Sequence, residues 1–161
     1  MKYFRICCEK NGNVVPCILN WMEGVDYHTI QSGAIGRLPN RTLLYVDGHP
    51  ELCFTDVIST PCLMISKRIW EVMKQYEESL QSRQIILLDV IQNVAEQYYI
   101  PIFRQSIYPE EEGDWISSPP FFQEGNITQG SLIGRLDFVE SILRRGAKGI
   151  HIEEYGGENH V

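Results

Sequence analysis

Phe4, Ile6 and Cys8 alternate with Tyr3, Arg5, Cys7 and Glu9. That period of two predicts a strand over residues 2–9 with one apolar face. Residues 14–19 form a second apolar run, and Asn11-Gly12 between the two suits a tight turn, so the pair reads as a hairpin. Residues 20–61 lose periodicity. They are rich in Gly, Pro and Asn, with one short apolar run at 43–46, and read as ordered loop with short strands. From residue 66 the spacing turns helical. Ser66 is a good N-cap, Ile65 and Trp70 are placed for a hydrophobic staple, and Ile69, Val72, Met73, Tyr76 and Leu80 recur along one face. Residues 85–91 predict a buried strand and residues 98–103 another. Pro101 cannot donate to a ladder, which places that second strand at a sheet edge.

A second helix is predicted over residues 137–145. Asp137 and Glu140 form a D-x-x-E variant of the capping box, Phe138, Val139, Ile142 and Leu143 make the apolar face, and Gly146 supplies the left-handed stop. Ile150 and Ile152 then alternate with His151 and Glu153 as a closing strand. Two main helices among several strands, without a βαβ rhythm, predict an α+β fold: a single domain over 1–161 with a mostly antiparallel sheet.

The 161 residues suffice for one core without staples. The densest apolar run, 85–91, is broken by Asp89, so no membrane span is expected. The first residues lack the pattern of a secretory signal. Five cysteines, Cys7, Cys8, Cys17, Cys53 and Cys62, are an odd number that suits reduced thiols in a cytoplasm. Cys7, Cys8, Cys17 and Cys62 stand in apolar, strand-like contexts and read as inert core.

Charge sharpens the picture. The net charge of −7 opposes nucleic-acid and anionic-membrane binding and suits a basic partner. Residues 1–80 hold eight basic and nine acidic side chains, whereas residues 81–161 hold six and twelve. Between 105 and 134 there is no Lys or Arg, yet Glu110, Glu111, Glu112, Asp114 and Glu124 lie there, interleaved with Tyr108, Trp115, Phe121 and Phe122. Aromatics anchor interfaces and clustered carboxylates steer cations, so these nine residues form a candidate partner-binding surface. A solvated loop whose aromatics pin it to the core is the plainer account of the same pattern.

Catalytic signatures are sparse. His49 and Cys53 are four apart and Cys7-Cys8 adjacent, without the paired spacing of a zinc site; no metal or cofactor is expected. Residues 33–36 match neither phosphate-loop pattern. Asp89, within an apolar strand, is the best isolated carboxylate for a functional role, against a hydrogen-bonded place at a sheet end.

Residues 61–77, PCLMISKRIWEVMKQYE, give an apolar strand, a capping Ser and a helix ending in Tyr-Glu. They are followed by the strand at 85–91 and by Gln97-Tyr98-Tyr99-Ile100. Residues 134–150, GRLDFVESILRRGAKGI, give a helix stopped at Gly146 before a last strand. This arrangement, over about 54–155, resembles the imm-eleven family of immunity proteins of bacterial polymorphic toxin systems; residues 1–53 form a variable part outside the likeness. The resemblance implies a cytoplasmic, non-enzymatic protein that neutralises a cognate toxin domain by occlusion. A basic nuclease is the toxin class that the acidity fits. A small enzyme with a Cys or Asp site, and a ligand-binding regulatory module, are the alternatives.

Overall fold

The computed structural model describes residues 1–9, 15–32, 34–103, 118–125 and 131–156. β1 (Tyr3–Cys8) forms as its alternation predicts, but its neighbours come from far along the chain. β8 (Ser131–Arg135) pairs on one side and β9 (Ile150–Tyr155) on the other, with β7 (Phe121–Glu124) beyond β8. Both edges of β1 are therefore taken, and residues 15–19 are not its partner. Ile18 instead bridges to Val46, and Leu19 N–H donates to the Tyr45 carbonyl at 2.9 Å. Asn11 and Gly12 lie outside the described residues.

The second sheet has the order β2 (Arg41–Tyr45), β5 (Gln81–Asp89), β6 (Val94–Ile102), β4 (Met64–Ser66), β3 (Val57–Ile58). Only the β2–β5 pair is parallel. The fold is α+β and mostly antiparallel, as expected. β6 is an inner strand, not the edge strand that Pro101 suggested. β4 is only three residues long and covers β6 at Tyr98 and Tyr99, so Pro101 lies beyond that pairing and removes no donor from it.

One face of this sheet is covered by α1 (Trp21–Gly24), α2 (Tyr27–Gln31) and a 3-10 turn at Ile35–Arg37. Trp21, Val25, Ile30, Ile35 and Leu38 pack there on Leu44, Ile85, Leu87, Tyr98 and Ile100. These helices are four and five residues long, too short for a 3.6-residue period to register. Asp26 caps α2, its Oδ1 accepting from His28 N–H at 3.0 Å.

The two longer helices lie between the sheets. α3 (Lys67–Tyr76) starts at Ser66, whose Oγ accepts from Ile69 N–H at 3.4 Å, and buries Ile69, Val72 and Met73. α4 (Leu136–Arg144) has its N-cap two residues earlier than the D-x-x-E pattern places it. Its N-cap is Arg135, which makes no side-chain cap, and Asp137 sits in the first turn gripped by the Arg135 guanidinium at 2.7 Å through both oxygens. Glu140 reaches forward to Arg144 at 3.5 Å, and Gly146 ends the helix at φ 72°. The shared core joins Ile6, Leu132, Phe121, Phe138 and Ile142 to Leu63, Ile65, Ile69 and Val72. Tyr76 ties the helices together, its hydroxyl donating to the Asp137 carbonyl at 3.0 Å. Among the described residues no helix is long and apolar enough to cross a membrane.

Candidate partner-binding surface

Of the nine expected contact residues, Tyr108, Glu110, Glu111, Glu112, Asp114 and Trp115 lie outside the described residues. Phe121 and Phe122 do not offer themselves to a partner. As neighbours on β7 they point to opposite faces, and both faces are packed. Phe121 meets Phe138 at 5.0 Å and Phe103 at 6.3 Å, while Phe122 makes edge contacts with Tyr3 at 5.5 Å and Tyr155 at 5.9 Å. Both are buried. They are core anchors of the first sheet.

Glu124 is likewise committed. Its Oε2 accepts from Arg5 at 2.8 Å and its Oε1 from the Tyr155 hydroxyl at 3.0 Å; the other arm of Arg5 holds Glu153 at 2.7 Å. The Arg5 hydrogen bond holds the Glu124 carboxyl below the usual carboxylate range, although burial opposes it. The Arg135 hydrogen bond does the same for Asp137. A depressed folded pKa means stabilisation that is present above the unfolded pKa and lost as pH falls through the folded one. Stability should therefore decline below about pH 4. Urea titrations of a Glu124→Gln/Asp137→Asn variant should show a flatter acid limb than wild type; an unchanged limb would assign it to other carboxylates.

The end of the β5–β6 hairpin is built differently. Asp89 is fully buried, and its Oδ1 accepts from Ile91 N–H at 2.9 Å and Gln92 N–H at 3.1 Å, organising the turn. Asn93 takes the left-handed conformation at φ 54°. Behind the turn runs the segment after β2. Gly48 lies so close that a Cβ there would come within 2.7 Å of Ile91 Cδ1 and 2.9 Å of Asp89 Oδ1. Gln92 Nε2 donates to the His49 carbonyl at 2.6 Å. This turn, held from inside, presents Val90 and Ile91 to solvent at 64% and 79% exposure. Asp89 thus has the hydrogen-bonded place at a sheet end, and the apolar residues after it, read as the end of a buried strand, form its exposed tip.

The cysteines divide more sharply than their contexts suggested. Cys62 is buried, and burial pushes its thiol up to about 12. Cys17 is exposed and Cys7 and Cys8 are half-buried, so the reading of all four as core holds for Cys62 alone. Cys7 and His151 are register partners, but the Cys7 thiol donates to the His151 carbonyl at 3.7 Å, and His151 Nε2 stands 4.0 Å from Glu153, beyond hydrogen-bond length.

A cleft of about 430 Å³ lies beside the start of α3, lined by Asp56, Lys67, Arg68, Glu96, Tyr98 and Lys148 among others. Asp56, Arg68 and Tyr98 within it are committed to holding the fold together. Asp56 is buried and accepts from Arg68 at 3.0 Å and from Lys148 N–H; its own backbone binds Lys148 and Ser66. Arg68 also donates to the Gly146 carbonyl at 2.7 Å, and the Tyr98 hydroxyl to the Thr55 carbonyl at 2.7 Å. Among the described residues no three His, Cys, Asp or Glu side chains converge as metal ligands. The geometry is that of a rigid scaffold with an exposed apolar tip. Compared with family models, curated proteins and solved structures, the chain matches none.

Proposed function

We propose that the chain is an immunity-type inhibitor, a non-catalytic protein that binds a bacterial toxin domain in the producer's cytoplasm and blocks it by occlusion. The observation that carries this reading is the hairpin tip. Two large apolar side chains project into solvent from a turn locked by Asp89, Gly48 and Gln92. Exposed apolar groups on a rigid support cost little ordering entropy when a partner covers them. A patch of this kind marks a protein-binding surface more readily than a catalytic one. The family likeness over 54–155 and the net charge of −7 agree with it.

The reading is tested by the gene next to the one encoding this chain and by co-expression. A neighbouring gene for a long protein with a toxic C-terminal domain is expected, and this chain should restore growth to cells expressing that domain. No such neighbour, or no rescue by a chain that folds, would overturn the proposal.

A further inference from the structure

We draw no further inference here: the strongest candidate, the apolar face of the second sheet that Leu43 and Tyr45 of β2 form with Ile86 and Leu88 of β5, carries nothing, because nothing in the structure shows what covers it.

Discussion

Phe138→Ala should destabilise the protein by about 3–5 kcal/mol, as large aromatic truncations in packed cores do. The ring is fully buried. It meets Tyr76 edge-on at 5.7 Å and Phe121 at 5.0 Å, and so joins α4 to α3 and to β7. Gly134 on β8 lies against it: a Cβ there would come within 2.7 Å of Phe138 Cδ1. The space left by the ring is bounded by the Tyr76 and Phe121 rings and by Gly134 of β8, whose strand is paired on both sides. That is the condition under which a cavity stays open and its full cost is felt. Against a typical total of about 5–15 kcal/mol, the loss is a large share. Urea unfolding should show a much lower midpoint at an unchanged slope. A loss below about 1 kcal/mol would mean that the site collapses and that Phe138 is not the joint described here.

Gly149→Ala should cost about 2–4 kcal/mol, from backbone strain and overpacking together. Gly149 has φ 62°, in the left-handed region, and a Cβ there would lie 2.4 Å from Thr55 Cγ2, 2.9 Å from its Cβ and 3.3 Å from its Cα. Thr55 cannot give way. It is fully buried, its hydroxyl donates to the Val57 carbonyl at 2.9 Å, and its carbonyl accepts from Tyr98 at 2.7 Å. The adjoining bonds from Asp56 N–H to the Lys148 carbonyl and from Lys148 N–H to the Asp56 carboxylate hold the two segments at that spacing. Gly146→Ala isolates the backbone-strain part. That glycine has φ 72°, but nothing lies within 4 Å of its added Cβ, so only about 1 kcal/mol of strain is expected. Denaturation of the two variants side by side should separate them; equal losses would refute the close approach at Thr55.

What could be read from the residues alone was mostly local. Ser66 with the apolar spacing after it defines α3, because cap and period coincide within one turn. Tyr3–Cys8 and Ile150–Tyr155 show their alternation directly. Errors arose where a distant segment decided the outcome. Asn11-Gly12 is a sound turn signal, yet it cannot register that β8 and β9 occupy both sides of β1. Pro101 warns of an edge without revealing that β4 stops two residues short of it. Phe121 and Phe122 stand in an acid-rich stretch and read as interface aromatics. Only the partners Phe138, Tyr3 and Tyr155, each on another element, make both faces of β7 interior. The hairpin tip lay inside a run read as buried strand. Its signal was the Asp-x-x-Gln-Asn sequence from Asp89 to Asn93, which suits a side-chain-capped turn.

The position of β1 between two late strands bears on how the molecule assembles on the ribosome. Arg5 meets Glu153 across 148 positions of chain, so Tyr3, Phe4 and Ile6 are synthesised long before anything exists to pair with them. The strands of the second sheet all fall between residues 41 and 102 and can close while translation continues. The first sheet must wait for residues 131–155, and its loop closure is correspondingly slow. Until then the nascent protein carries one completed sheet and one unpaired strand, whose apolar side chains stay in water until the last residues of β9 emerge.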